Sequence, residues 1–135
     1  MTVIFKFKPS LEYLRLRGEI YCITNLNTGQ RYIGQTKCVH KINKKERYFG
    51  AYGRYQQHIR EAKRGSKGCR KLYKALRGED SFKVTILERC LLTELDNKEI
   101  EYIRHFHTRR KGYNASKGGK LTRRKILALQ RRRGR

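Results

Sequence analysis

Acidic residues are scarce in this chain of 135: 11 Asp+Glu stand against 35 Lys+Arg, for a net charge of +24. A domain so short of one sign of charge repels itself unless a polyanion shares its surface. Nucleic acid is therefore the first candidate partner, and an anionic membrane surface the second. Long apolar runs are also lacking. No segment approaches the roughly 20 apolar residues that span a bilayer. The N-terminal stretch MTVIFKFKPSLEYLRLR has no long apolar segment and no small-residue cleavage site. The expectation is a cytoplasmic protein, in a host cytosol if viral. Paired cysteines are missing too: Cys22, Cys38, Cys69 and Cys90 form no CxxC pair and no zinc-finger spacing with histidine. They read as free thiols in a reducing compartment. His105 and His107 lie two apart on an expected helix, point in different directions and suggest no metal site.

What remains is the length of one domain. Residues 1–17 read as an N-terminal extension, with a strand over Val3–Lys8 before Pro9. Residues 20–25 and 31–35 read as a hairpin around the turn residues NLNTGQ. Residues 36–50 read as a polar, lysine-rich loop. In AYGRYQQHIREAKR, Tyr55, Ile59 and Ala62 recur at helical spacing, and Gly65 ends the helix. A second helix spans Arg70–Arg77. SFKVTILE alternates as a strand, and a third helix runs near Thr93–His107, with Thr93 as its cap. The segment 120–135, KLTRRKILALQRRRGR, reads as a basic tail without aromatic anchors, which argues against a membrane surface. The element order is β-β-α-α-β-α: an α/β (α+β) fold with a small three-stranded antiparallel sheet flanked by helices. No residue pattern sets an oligomeric state, and a monomer is the default.

Three side chains stand out. Arg54 and His58 lie four apart on one helix and share a face. Glu88 ends a strand whose same-face residues Phe82, Val84 and Ile86 are apolar, so its carboxylate requires a positive partner. That partner is either a surface cation or a divalent metal held by few hard oxygen ligands.

Together with two tyrosine triplets, these residues resemble the GIY-YIG nuclease family. EIY at Glu19–Tyr21 stands in the place of the first triplet, with Glu19 for glycine, and YIG at Tyr32–Gly34 matches the second. Arg54 and His58 resemble the family's arginine helix, and Glu88 in ILERC its metal-binding glutamate. Glu99 in KEIEYI matches a position on the third helix. Asn114 in GYNAS matches the motif that closes the domain. The resemblance covers residues 18–119 in order. It implies a GIY-YIG fold and a Mg²⁺-dependent DNA endonuclease, with Mn²⁺ as a substitute ion. The homing or phage type is the first reading. A restriction-type enzyme and a non-catalytic nucleic-acid-binding module on the same fold are the alternatives.

The resemblance implies catalytic roles for Tyr21, Tyr32, Arg54, His58, Glu88 and Asn114, with Glu88 on the metal. Lys37, Lys41, Lys44, Lys45 and Arg47, in a loop longer than the family minimum, would touch DNA phosphates. So would Lys67, in the segment where many members carry a histidine, and Arg123, Arg124 and Lys125 of the tail. Tyr21 is the choice for general base. A tyrosine of pKa about 10 is only roughly 0.1–0.3% ionised near pH 7. Either Arg54 and its neighbours lower that pKa, or a relay through His58 takes the proton. The residues alone leave both routes open. One geometric condition follows: Tyr21 and Tyr32 share a face only if paired positions sum to an odd number, which requires an even loop such as Leu26–Gly29.

Overall fold

A computed structural model describes residues 9–119 of the chain. The expected strand at Val3–Lys8 and the tail with Arg123, Arg124 and Lys125 lie outside the described residues. A short helix α1 (Leu11–Arg15) leads into β1 (Arg17–Asn25) and β2 (Arg31–Lys37). A second hairpin follows, β3 (Val39–Ile42) and β4 (Lys45–Tyr48). Helices α2 (Gly50–Lys63) and α3 (Arg70–Leu76) come next, then β5 (Phe82–Leu91), α4 (Leu95–Phe106) and the short α5 (Thr108–Lys111). The main sheet is antiparallel and three-stranded, in the order β2-β1-β5, with helices on both faces.

The first hairpin meets the parity condition. Tyr21 pairs with Gly34 and Ile23 with Tyr32, and inside the bond from Asn25 to Gln30 the loop is the four residues Leu26–Gly29. Asn25 builds the turn. Its Oδ1 accepts from the Asn27 and Thr28 amides at 2.9 and 3.2 Å, and its own amide donates to the Gln30 carbonyl at 2.8 Å. Gly29 takes a φ of 77°, which suits glycine.

Each face of the sheet buries a separate cluster. Tyr21 and Ile23 face α2 and α3 with Leu72, Tyr73 and Ala62, while Ile20, Cys22 and Ile33 face α4 with Leu95 and Ile103. The β1–β5 ladder carries a bulge: Tyr21 pairs with Ile86, but Ile20 pairs with Glu88, leaving Leu87 as the extra residue.

Two expectations are corrected. Residues 39–48 form a β-ribbon rather than a loop. Its two-residue turn places Asn43 and Lys44 at φ 52° and 66°, the primed geometry that matches strand twist. No Asn-Gly pair marks this turn in the sequence, and Lys44 occupies the left-handed region at a cost of about 1–2 kcal/mol. A short 3-10 turn, Leu92–Glu94, precedes α4, and Glu94 rather than Thr93 stands at the N-cap position of the helix, with no side-chain cap bond. The Glu94 carboxylate instead accepts the Leu91 amide at 3.0 Å and closes the 3-10 turn.

Candidate active site

The face between the sheet and α2 is polar at its centre. Tyr21 on β1 and Tyr32 on β2 bring their rings to a centroid distance of 6.3 Å. Gly34, directly across from Tyr21, makes this arrangement possible: a Cβ there would lie 2.4 Å from Cζ and Oη of Tyr21. The glycine is needed for space, so that the tyrosine ring can lie across the neighbouring strand. That is the physical reason for Tyr32-Ile33-Gly34 in this strand.

Helix α2 delivers Arg54, His58 and Glu61 at i, i+4 and i+7, one stripe along the helix. His58 is fully buried. Its Nε2 lies 2.8 Å from the Tyr21 hydroxyl and its Nδ1 lies 2.9 Å from the Tyr73 hydroxyl of α3. Tyr73 in turn donates a short hydrogen bond to Glu61. A carboxylate only accepts, so this last bond orients the whole chain. Tyr73 gives its proton to Glu61, its oxygen accepts from His58 Nδ1–H, and Nε2 is left as an acceptor for the Tyr21 O–H. Burial first, and then the Arg54 charge, lower the His58 pKa to about 3, so the ring is neutral at ordinary pH.

Burial also raises the pKa of Tyr21, and the neighbouring Arg54 guanidinium only partly offsets it. Burial, and then the Tyr21 hydroxyl beside it, raise that of Tyr32. Of the two routes open in the sequence, a ready-made phenolate at Tyr21 is the one this environment disfavours. The hydrogen bonds instead link the Tyr21 hydroxyl to His58 and, through it, to Tyr73 and Glu61.

The carboxylates are arranged differently from expectation. Glu88 pairs with Ile20 and faces α4, where its oxygens meet Lys98 Nζ at 3.3 Å and the Tyr102 hydroxyl at 3.0 Å. The bulge at Leu87 reverses the period-two alternation that put Glu88 on the face of Val84 and Ile86. The structure thus separates Glu88 from the tyrosines. Glu99 of α4 is buried, and its charge disfavours ionisation of both Tyr21 and Tyr32. It accepts the Gly119 amide at 2.6 Å, and a Cβ on Gly118 would come within 2.9 Å of its Oε1.

Asn114 is buried beside β2, and both ends of its amide bind the Ile33 backbone at 2.8 Å. It fixes the strand between Tyr32 and Gly34 rather than reaching the hydroxyls. Lys67 lies exposed in the loop before α3. The residue of that loop beside the tyrosines is Cys69, whose Sγ is 3.6 Å from the Tyr32 hydroxyl. Lys37, Lys41, Lys44, Lys45 and Arg47 are all exposed, on β2 and on the ribbon.

Glu19, which stands for glycine in the first triplet, is fully buried and fully engaged. It accepts from the Tyr48 hydroxyl at 2.7 Å, the Ala51 amide at 2.8 Å and Arg89 Nη2 at 2.9 Å. Burial first, and then this carboxylate, raise the Tyr48 pKa to about 12. The substitution therefore ties the ribbon and the first turn of α2 to the sheet, a buried charge made tolerable by three partners.

Comparison with solved structures decides the fold. The catalytic domain of intron endonuclease I-TevI, in a point-mutant form, superposes with a TM-score of 0.61 at 19% identity, over 76% of this chain and 97% of that one. A second structure, the catalytic domain of homing endonuclease I-TevI, gives 0.58 at 20% identity, over 73% and 98%. This chain has the GIY-YIG fold. Neither a protein-family model nor a curated protein matches it. The shared fold is a three-stranded antiparallel sheet flanked by helices. Tyr73, Glu61 and Cys69 complete the polar cluster in this chain. The stripe Arg54, His58, Glu61 was the sequence signal for one of them. No helix of the described residues is long and apolar enough to cross a membrane.

Proposed function

We propose that the chain is a metal-dependent endonuclease that hydrolyses phosphodiester bonds of DNA. The observation that carries this reading is the directed chain Tyr21–His58–Tyr73–Glu61, with Arg54 beside it. A binding module has no use for a buried, neutral histidine aimed at a hydroxyl. The solved structures of similar fold are catalytic domains of a homing endonuclease, which favours the homing type over the restriction type.

The proton path follows from the tautomer. As a water oxygen attacks phosphorus, its proton passes to the Tyr21 oxygen while the Tyr21 proton passes to His58 Nε2. An imidazolium would be costly at this buried site beside Arg54. Release of the Nδ1 proton to Tyr73, and of the Tyr73 proton to Glu61, keeps the ring neutral and leaves the proton on the part-exposed Glu61. Arg54 supplies paired donors to the non-bridging oxygens as their charge grows. Tyr32, half-buried at the mouth of the pair, positions the phosphate or the water.

Among the described residues no three His, Cys, Asp or Glu side chains gather as a metal-ligating cluster. Glu99 is one hard carboxylate beside two phenols. That donor set fits Mg²⁺, which takes one or two carboxylates and completes its shell with water and phosphate. Mn²⁺ suits the same ligands. A bound ion would supply charge neutralisation at the phosphate and the leaving oxygen.

The test is incubation of the full chain with a long DNA pool, with Mg²⁺ and with chelator, followed by sequencing of the ends. New ends in Mg²⁺ that vanish with chelator and in Tyr21→Phe are expected. A wild-type digest without new ends under either metal overturns the reading.

A further inference from the structure

The β3–β4 ribbon is the part of the molecule that the proposed reaction does not use. It carries Lys41, Lys44, Lys45 and Arg47, with Lys37 at its root, and none of the five joins an ion pair among the described residues. Its one acidic residue, Glu46, is paired with Arg15 of α1. The ribbon has two sides. Val39, Lys41, Glu46 and Tyr48 alternate to one, which Glu46 and Tyr48 hold to the protein through Arg15 and Glu19. His40, Ile42, Lys45 and Arg47 alternate to the other; the His40–Arg47 pair lies near the root, with the His40 ring against Phe49 at a centroid distance of 4.0 Å. Arg47 is exposed at that level, and beyond it Ile42 and Lys45 stand exposed, with Asn43 and Lys44 at the tip.

We propose that this ribbon enters the major groove of duplex DNA beside the cleaved phosphate and selects the sequence there. The proposal rests on the endonuclease reading above. A two-stranded ribbon is one of the elements that the major groove of B-DNA admits. Four residues at about 3.3 Å each reach about 13 Å, beyond a groove depth of about 8.5 Å, so the tip reaches base edges. The side chains it presents are of base-reading types: arginine and lysine for guanine O6 and N7, asparagine for adenine N6 and N7, an apolar carbon for the thymine methyl. The ribbon is held at its root by Tyr48–Glu19 and at mid-length by Arg15–Glu46, which sets the tip relative to Arg54. A groove lined by Lys37, His40, Lys41, Gln57 and Arg54 joins the ribbon to the reacting side chains. The deep, narrow major groove of an RNA duplex would not admit it.

The experiment uses the full chain, wild type and two variants. Lys44→Gly removes a cation where φ is 66°, a conformation glycine adopts freely, so the turn is kept. Arg47→Gln removes the bidentate donor. A preferred duplex, recovered by binding from a randomised pool, is methylated with dimethyl sulfate at guanine N7 in the major groove and adenine N3 in the minor groove. In the wild type, N7 methylation of a few clustered guanines should block binding. In Arg47→Gln that interference should vanish, and preference among sequences should flatten by roughly 5- to 150-fold per lost contact. Lys44→Gly should bind more weakly at an unchanged or higher Tm. The same interference in wild type and Arg47→Gln, interference confined to adenine N3, or equal binding of an RNA duplex of that sequence would overturn the proposal. Interference is read on binding alone. A protein that shows it but cuts nothing overturns the endonuclease reading, and one that cuts but never shows it overturns the role of the ribbon.

Discussion

The two faces of the central sheet bury similar numbers of large side chains and use them in opposite ways. Toward α4 the cluster is aliphatic: Ile20, Ile33, Leu95 and Ile103 meet with almost no polar atom among them. Toward α2 and α3 it is aromatic, and Tyr21, His58 and Tyr73 carry their polar atoms into the interior. A polar core is expensive unless every group is bonded, and here the bonding runs in one direction, to Glu61. The aliphatic face holds the domain together. The aromatic face is held in register by it and is free to be chemical. Glu99 of α4 is buried, and its charge bears on Tyr21 and Tyr32 of the aromatic side.

Mutations that separate the two faces sharpen this contrast. The largest effect is expected from Tyr21→Phe, which keeps the ring and removes the hydroxyl at the head of the relay. Its kcat should fall by about 10²–10⁴ while its circular dichroism and Tm stay near wild type. Wild-type turnover would reduce Tyr21 to packing. Next is the pair of glutamates. Glu99→Gln should lower metal-dependent cleavage by about 10²–10³, a loss of the size of one transition-state contact. Glu88→Gln should leave cleavage unchanged and cost no more than a surface pair, about 0–1 kcal/mol. The reverse outcome would return the metal to β5.

Ile103→Ala tests the other face. It should cost about 2–5 kcal/mol of stability and lower Tm by roughly 10–20 °C. The kcat of the folded fraction should be unaffected below the transition, and a loss of kcat without a loss of Tm would mean that the faces are not separable. The smallest effect is a pH slope. The folded His58 pKa is depressed to about 3, from 6.5, by burial and Arg54. The unfolded chain therefore takes up a proton that the folded chain refuses. The stability due to the neutral ring is complete above about pH 6.5 and is lost as pH falls toward 3. Denaturation midpoints between pH 6.5 and 5 should fall in the wild type and in Ile103→Ala, and flatten in His58→Gln. An equal slope in His58→Gln would assign it to other groups.

What could be read from the residues was what repeats or what turns. The hairpin was legible because NLNTGQ gathers turn residues between two strand-like stretches, and α2 because Tyr55, Ile59 and Ala62 mark its period. The β3–β4 ribbon was not, because its turn uses Asn43-Lys44 where a glycine usually gives the signal. Glu88 was misplaced by a single extra residue: alternation has no memory of a bulge, and Leu87 inverts everything after it. Glu61 and Tyr73 were missed because a glutamate on a basic helix reads as a surface charge and a tyrosine as packing. Only the fold shows that Tyr73 meets His58 and that Glu61 meets Tyr73. Glu19 for glycine looked like a small departure, yet it joins three elements.

The grip of Asn114 on Ile33 has a consequence beyond the active site. β2 is an edge strand, and an edge offers unpaired amides and carbonyls to any passing chain. Asn114 occupies both backbone groups of Ile33, and the Tyr113 amide takes the Arg31 carbonyl at 2.9 Å. One side-chain amide and one backbone amide thus imitate the partner strand that is missing. Freed of this clasp, β2 would be the template on which a second copy could add its own strand, and the first symptom would be self-association rather than unfolding.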